Sequence, residues 1–314
     1  MKKSSVGFSI VVPVYNSEKT LPELVMRLNQ VFNSAGYSYE LIMVDDSSYD
    51  NSWDVLRELK SGNEHITIIR LARNFGQHNA TLCGFNYANG DFIITIDDDL
   101  QHPPEEIPKL IVHIQSDDFN VVYGKYKPKN ARYIENVLSR IFQKVIHHIL
   151  GVPDNIFSSS FGIYKKSLIK NMIVIKNSYP FIFALVVQST TSRKIGHIDV
   201  QHYDRIIGLS NYGLIKYIKL SLNLIINYSS WPLLFISYIG FIVSLLSILY
   251  GLSIIIYKMI NSSYGLMGWN SLMVAVSFLG GLLLFSMGII GEYLKRILME
   301  TSYGQQYVVS ELEL

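Results

Sequence analysis

The segment Phe8-Ser-Ile-Val-Val-Pro-Val-Tyr-Asn16 is a run of mostly apolar and β-branched residues that ends in a polar side chain, the pattern of a buried strand. Apolar positions at helical spacing follow over Leu21–Ala35, and a second apolar run follows at Tyr39–Val44. A strand, an amphipathic helix and another strand in this order predict a βαβ unit, in which the two strands are parallel. The same alternation continues, with strands expected at Ile66–Leu71, Phe92–Ile96 and Asn120–Tyr123 and helices near Trp53–Lys60, His78–Ala88 and Glu105–Gln115. We therefore predict an α/β domain with a mostly parallel sheet and helices on both faces.

Polar residues follow the predicted strands at their carboxyl ends, which is where sheets of this class bind ligands. They are Asn16, Asp45-Asp46-Ser47-Ser48, Arg73-Asn74 and Asp97-Asp98-Asp99. Neither GxGxxG nor GxxxxGK[ST] occurs, so the sequence gives no support to a dinucleotide-dependent enzyme or a P-loop NTPase.

The acidic run Asp97-Asp98-Asp99 is the most informative of these groups, since three successive carboxylates repel one another unless a cation is present. Along an extended chain, Asp97 and Asp99 point to the same side. The two could share one divalent cation that keeps coordination positions for phosphate oxygens. A solvated acidic loop is the alternative reading of the same residues.

Charge is distributed unevenly along the 314 residues, of which 49% are hydrophobic and 17% charged. Between Tyr228 and Gly291 the single charged residue is Lys258, and this block contains two uncharged runs, Trp231–Tyr257 and Gly268–Gly291. Each run is long enough to cross a bilayer. The pattern excludes a disordered chain and a plain soluble globule, and the single cysteine excludes a disulfide-stapled domain. A hairpin of core helices is the alternative to two spans.

Basic residues on both flanks of this block predict its orientation. They are Arg205, Lys216 and Lys219 before the first run and Lys295 and Arg296 after the second. By the positive-inside rule, both termini are expected in the cytoplasm. Two basic amphipathic segments, residues 133–150 and 212–227, are expected either at the membrane interface or packed on their own domain.

Six motifs, taken together and in order, carry a resemblance that covers nearly the whole chain. They are Val11-Val-Pro-Val-Tyr-Asn16, Val44-Asp-Asp-Ser-Ser48, Arg73-Asn-Phe-Gly-Gln-His78, Gly90-Asp-Phe-Ile-Ile-Thr-Ile-Asp-Asp-Asp-Leu-Gln-His-Pro-Pro-Glu-Glu106, His202-Tyr-Asp-Arg-Ile-Ile-Gly-Leu-Ser-Asn-Tyr212 and Gly288-Ile-Ile-Gly-Glu-Tyr293. The sequence resembles the membrane-anchored polyprenyl-phosphate glycosyltransferases of glycosyltransferase family 2. This family includes dolichol-phosphate mannose synthases, bactoprenol glucosyltransferases and undecaprenyl-phosphate formamido-arabinose transferases.

The resemblance implies a Rossmann-like, GT-A type nucleotide-sugar-binding domain and an inverting transfer of a sugar to undecaprenyl phosphate. It assigns donor nucleotide binding to Pro13, Tyr15, Asp45, Asp46, Arg73 and Asp97, and Mg²⁺ or Mn²⁺ binding to Asp97, Asp99 and Gln101. Catalysis would rest on Asp97, Asp99 and Arg205. The acceptor phosphate would meet Lys125, Lys127, Lys129, Arg132, Arg205 and Ser210. A solvated surface loop is the alternative for residues 125–132.

Three positions depart from the family pattern. Ser17 stands where relatives have Glu, and Asp98 replaces a common Ala. The segment Ile156–Tyr164 lacks an acidic residue and an Arg that relatives carry, and Asp154 lies two residues early. Asp154 and Ser158–Ser160 are therefore secondary site candidates. The resemblance does not identify the donor sugar.

The resulting expectation is a bacterial inner-membrane protein with its catalytic domain on the cytoplasmic face. Its predicted parts are a catalytic domain (1–205), an interfacial segment (206–230), a two-span hairpin (231–291) and a cytoplasmic tail (292–314). Expected partners are a UDP- or GDP-linked sugar, polyprenyl phosphate and the bilayer, with a homo-oligomer left open and no nucleic acid. Alternatives are a catalytically silent nucleotide-sugar binder, a family 2 transferase with another acceptor or, less well supported, a processive polysaccharide synthase or a transporter.

Overall fold

The computed structural model describes residues 7–126, 143–144, 146–177, 180–203, 225, 228–229, 231–260, 268–303 and 306–314. The chain divides into two compact units. One comprises Met1–Ile218 with Gly304–Leu314, and the other comprises Lys219–Tyr303. We call them the sheet unit and the helical unit.

The described residues of the sheet unit form one eight-stranded sheet, with the strand order β7-β5-β6-β4-β1-β2-β3-β8. The strands are β1 Phe8–Val14, β2 Tyr39–Asp45, β3 Ile66–Leu71, β4 Phe92–Thr95, β5 Val121–Lys125, β6 Gly162–Lys165, β7 Ile195–Asp199 and β8 Val309–Glu313. The four central strands β4, β1, β2 and β3 are parallel, whereas β6 and β8 run antiparallel to their neighbours.

Helices pack on the sheet, and several of them turn an apolar stripe toward the core. They are α1 Leu21–Ala35, α2 Ser52–Lys60, α3 Gln77–Tyr87, α4 Ile107–Ser116, α5 Lys166–Val174 and α6 Ile182–Ser189. In α1, Leu21, Leu24 and Leu28 are fully buried, and Gly36 ends the helix at φ 65°, a left-handed conformation that glycine adopts without strain. Helix α3 lies so close to β1 that a Cβ atom at Gly84 would come within 2.3 Å of Val11 Cγ1.

The sequence predicted the first five strands and four helices to within two residues at most ends, and the α/β class with its central parallel strands is confirmed. It did not predict β6, β7 or β8. The last of these lies in residues 292–314, which were expected as a tail: a long helix continues to Tyr303, and Val309–Glu313 then pairs with β3.

The helical unit contains two long helices, α7 Trp231–Ile260 and α8 Trp269–Tyr303. Within the described residues, Phe278–Lys295 is the one helical stretch long and apolar enough to cross a membrane, and Trp231–Val243 is a shorter apolar stretch. Of the two amphipathic segments, most residues lie outside the described part of the chain. Residues 143–144 and 146–150 are helical.

Candidate functional site

Backbone strain gathers at the carboxyl ends of β1, β2 and β4. Asn16, Ser47 and Leu100 have φ angles of 55°, 58° and 61°, the left-handed region that non-glycine residues rarely adopt. Each such residue costs on the order of 1 kcal/mol and persists because its surroundings hold it. These strands are neighbours in the sheet, so the strained residues lie together at the carboxyl ends of its central strands.

The loops after β1 and β2 are joined by hydrogen bonds, and we call this set of contacts the loop network. The Asn16 backbone N–H donates to Ser48 Oγ (2.9 Å), and the Tyr49 N–H donates to Asn16 Oδ1 (2.9 Å). The Ser17 N–H donates to Ser52 Oγ (2.8 Å), which donates to Asp50 Oδ1 (2.5 Å). These bonds hold two loops about 30 residues apart in a fixed relation.

Asp98 extends the loop network to the end of β4. Its Oδ2 accepts from the Tyr15 N–H (2.9 Å) and from the Ser17 hydroxyl (2.5 Å), and its carbonyl accepts from Thr20 Oγ1 (2.6 Å). Burial raises the pKa of Asp98 to about 6, against the lowering effect of these hydrogen bonds. The two departures from the family pattern in these loops, Ser17 and Asp98, thus contact each other.

Asp97 points the other way, into a cleft of about 360 Å³ that we call the Asp97 cleft. Its Oδ1 accepts from Gln77 Nε2 (2.6 Å) and its Oδ2 from Ser160 Oγ (2.5 Å). The two donors come from the start of α3 and from the segment before β6, 20 and 63 residues away in sequence. The carboxylate is therefore held at both oxygens by neutral groups.

Hydroxyl groups and aromatic rings share the walls of the Asp97 cleft. They include Thr81, Thr95, Ser158, Ser159, Tyr164, Tyr126, Phe181 and Phe183, with Pro13 of β1 at its side. His78 also lines it, edge-on to Phe181 with ring centroids 5.1 Å apart, and burial lowers the pKa of His78 to about 4. At neutral pH this imidazole is uncharged, and such a surface suits a polyhydroxyl ligand.

Asp99 lines a second cleft, of about 260 Å³, with Tyr15, Lys19 and Asp50 among its walls. Its Oδ1 accepts from the Gln101 backbone N–H (3.1 Å). The structure thus places Asp97 and Asp99 at the same strand end but in the walls of different clefts.

The expectation that Asp97 and Asp99 point to the same side differs from the structure, where they line different clefts. Only the chemistry of the two carboxylates suits a magnesium-type cation. Mg²⁺ is commonly bound by one or two carboxylates with substrate phosphates completing its shell, and Asp97 and Asp99 supply two. A carboxylate oxygen accepts at two lone pairs, so the hydrogen bonds from Gln77 and Ser160 do not preclude a metal contact. Among the described residues no three His, Cys, Asp or Glu side chains converge.

Asp45 is fully buried at the end of β2. Its Oδ1 accepts from the Ser48 N–H (3.1 Å), and its Oδ2 lies 3.4 Å from Arg70 Nε without hydrogen-bond geometry. Burial raises the pKa of this carboxyl, while Ser48 and Arg70 lower it. Oδ2 is a buried acceptor without a hydrogen bond, which a ligand N–H would satisfy.

Asp46, the next predicted nucleotide-binding residue, ties the loop after β2 to the loop after β3. Its two oxygens accept from the backbone N–H groups of Phe75 (2.7 Å) and Gly76 (2.8 Å), and burial raises its pKa to about 6. Arg73 is exposed, with its Cζ 4.8 Å from the centroid of the Phe75 ring. Asp46 thus fixes the loop that presents Arg73 and Gln77.

Of the predicted acceptor-phosphate residues, Lys125 lies at the end of β5 and is partly exposed. Lys127, Lys129, Arg132, Arg205 and Ser210 lie outside the described residues. The sequence analysis did not predict an aromatic cluster formed by Tyr126, His202 and His102. The rings of Tyr126 and His202 stack with centroids 4.0 Å apart, and both contact the ring of His102. Burial lowers the pKa of His102 to about 3, so its ring is neutral. The three residues fall in or beside recognised motifs, but only the fold brings them together.

Residues 9–173 match the profile of Glycosyl transferase family 2. The chain belongs to this family. Over 306 residues it is 32% identical to an undecaprenyl-phosphate 4-deoxy-4-formamido-L-arabinose transferase of Shewanella sediminis, covering 97% of this chain and 92% of the relative. The transferase of the same name from Yersinia pestis is also 32% identical, with coverages of 97% and 93%. A glycosyltransferase is therefore the class of enzyme to which the site belongs.

Solved structures share the fold. A glucosyl-3-phosphoglycerate synthase from Mycobacterium tuberculosis in complex with UDP superposes with a TM-score of 0.52 at 17% identity, covering 71% of this chain and 78% of that one. A mycobacterial protein gives a TM-score of 0.52 at 16% identity, with coverages of 70% and 73%. At such identities the likeness establishes a GT-A-like α/β fold and nothing about substrate.

Proposed function

We propose that this protein transfers a sugar from a UDP- or GDP-linked donor to undecaprenyl phosphate at the cytoplasmic face of a bacterial inner membrane. The observation that carries the proposal is the Asp97–Asp99 pair at the carboxyl edge of a family 2 sheet, in a chain similar over 97% of its length to undecaprenyl-phosphate transferases. We leave the identity of the sugar open.

The donor is proposed to lie along the edge formed by β2, β1 and β4. The buried Oδ2 of Asp45 would accept from the nucleobase, with Tyr15 and Arg73 exposed nearby for the rest of the nucleotide. The hydroxyl-rich Asp97 cleft would take the sugar, because sugars present hydroxyl groups that exchange hydrogen bonds with Ser and Thr side chains.

Asp97, Asp99 and Gln101 are proposed to hold Mg²⁺ or Mn²⁺ together with the donor pyrophosphate. When bound, the cation would neutralise charge on the departing nucleoside diphosphate. Gln77 and Ser160 hold the Asp97 carboxylate through both oxygens, so its orientation is fixed before a ligand arrives.

The transfer is proposed to be a single inverting displacement. The acceptor phosphate oxygen forms a bond to the anomeric carbon while the bond from that carbon to the nucleoside diphosphate breaks. A phosphate monoester has a second pKa near 6, so it is already anionic at neutral pH and needs little help from a base. The tasks left to the protein are alignment and the exclusion of water.

Connectivity supports a membrane hairpin. The chain leaves the sheet unit before α7 and re-enters it after α8, where β8 pairs with β3 in one sheet. Large apolar side chains are exposed on both helices, among them Leu234, Phe235, Phe241, Leu283, Leu284 and Phe285. We propose that α7 and α8 both cross the bilayer and that both termini are cytoplasmic, which accords with the basic flanks.

The test is a transfer assay with full-length protein in detergent, undecaprenyl phosphate, Mg²⁺ and a panel of radiolabelled nucleotide sugars that includes the formamido-arabinose donor. One donor should label the lipid, and EDTA should stop the reaction. Nucleotide binding with no transfer from any donor would instead indicate a silent binder.

The acceptor assignment is tested separately with Arg205→Ala. We expect the KM for undecaprenyl phosphate to rise at least about tenfold, since a charged hydrogen bond to phosphate is lost, with less change in the donor KM. A rise confined to the donor KM would refute the assignment.

A further inference from the structure

A row of charged side chains crosses three strands at the edge of the sheet. The register places Asp45 of β2 opposite Arg70 of β3, and Arg70 opposite Glu311 of β8. Side chains at directly paired positions share a face of the sheet. Accordingly, Arg70 Nε lies 3.4 Å from Asp45 Oδ2 and Arg70 Nη1 lies 3.4 Å from Glu311 Oε1. One guanidinium group is shared between two carboxylates.

Glu311 is itself held in place. Its Oε2 accepts from Arg57 Nη2 at 2.6 Å, and Arg57 Nε also donates to Glu313 Oε1 at 3.1 Å. The guanidinium carbons of Arg57 and Arg70 lie 5.3 Å and 5.5 Å from the centroid of the Trp53 ring, within the range of cation–π attraction. The aromatic ring and β8 together restrict where Arg70 can point.

The row runs from the surface into the donor site. The Arg70 side chain is 32% exposed and the Glu311 side chain 38%, whereas Asp45 is fully buried and its Oδ2 has no hydrogen bond. The guanidinium group of Arg70 lies near Asp45 Oδ2, and the carboxylate of Glu311 attracts the same guanidinium group toward the surface. Oδ2 therefore keeps a hydrogen-bonding capacity that no described group uses.

We propose that β8 sets the affinity for the donor nucleotide, with Glu311 and Arg70 as positioning residues that act through Asp45. The inference rests on the proposed role of Asp45 in nucleoside binding. Without the charge of Glu311, Arg70 turns fully to Asp45 and engages Oδ2, which then binds the nucleoside less well. Turnover at saturating donor does not change, because neither residue touches the reacting atoms.

The test compares Glu311→Gln with Glu313→Gln in the full-length protein. Both glutamates lie on the same face of β8, their side chains are 38% and 42% exposed, and both contact Arg57, but within the described residues only Glu311 contacts Arg70. Titration calorimetry with UDP and with GDP should show about fivefold weaker binding for Glu311→Gln and unchanged binding for Glu313→Gln. The donor KM should rise in the same proportion, with kcat and the acceptor KM unchanged.

Three results would overturn the inference. Equal weakening by both variants, with equally lowered melting temperatures, would mean that the glutamates only dock β8. If Glu311→Gln binds the nucleotide as well as the wild type and Asp45→Asn does not bind it, then Glu311 and Arg70 do not act through Asp45, and the proposed nucleotide site stands. Unchanged binding by Asp45→Asn would remove the proposed role of Asp45 and, with it, the roles of Glu311 and Arg70.

Discussion

The loop network and the Asp97 cleft occupy the same edge of the sheet but are built differently. In the network, carboxylates and hydroxyls such as Asp98, Ser17 and Ser52 bond to backbone and side-chain groups of neighbouring loops. In the cleft, the side chains surround an open volume of about 360 Å³ around Asp97. The difference indicates that the network holds the loops in place, whereas the cleft leaves an open volume beside Asp97. Substitutions in the cleft should therefore change turnover, and those in the network should change stability.

The largest effect is expected from Asp97→Asn in the cleft. The variant removes a charge where the pyrophosphate and cation are proposed to bind, so kcat should fall at least about 100-fold. The amide is nearly isosteric, so the melting temperature should move by no more than about 3 °C. The variant is tested by measuring turnover and thermal unfolding on the same preparation. A variant that keeps full turnover would contradict the proposed role of Asp97 at the pyrophosphate and the cation.

Asp46 provides the next largest effect, on the network side and on stability. Its folded pKa of about 6 lies above the ordinary aspartate value of 3.8, so the protonated carboxyl favours the folded state. That contribution is complete below pH 3.8 and is lost as the pH rises through 6. Relative to Asp46→Asn, the wild-type protein should lose on the order of 2 kcal/mol of unfolding free energy between pH 4 and 7.

The measurement for Asp46 is chemical denaturation in detergent at several pH values, with the difference between wild type and variant taken at each. This difference removes the titration of the other carboxyls. If the difference in unfolding free energy between wild type and variant does not vary with pH, ionisation of Asp46 does not destabilise the folded state, which would contradict the prediction.

Ser160→Ala should reduce kcat about tenfold, because Asp97 loses a hydrogen bond that orients it. Ser158→Ala is the matched control, since it lines the same cleft and has no described bond to Asp97. The two variants are compared by steady-state kinetics at saturating substrates. Equal losses would mean that the cleft needs hydroxyl groups generally and not the bond to Asp97.

The smallest effect is expected from Ser52→Ala in the network. It leaves the Ser17 N–H without its acceptor and should cost about 1 kcal/mol of unfolding free energy, with turnover nearly unchanged. Ser34→Ala, which removes an exposed hydroxyl from the end of α1, should be silent. A Ser52 variant that is stable but inactive would show that the network takes part in the reaction.

The sequence predicted the first half of the sheet well because each of those strands is an apolar run followed by a helical pattern. It missed β6, which has four residues, and β8, whose Val-Ser-Glu-Leu-Glu pattern carries two charges. Both are defined by partners far away in sequence. The site followed the same rule: the strand ends identified Asp45 and Asp97, but Gln77 and Ser160 join Asp97 only through tertiary packing.

The place of β8 in the sheet also bears on how the protein is made. The edge of β3 is covered by residues 309–313, which the ribosome adds only after both long helices. Until then, a nascent catalytic sheet presents an unpaired edge, the kind of surface that recruits other strands. Synthesis of both helices therefore precedes completion of the sheet, and a chain that stops between them would carry an unfinished domain exposed to aggregation and proteolysis.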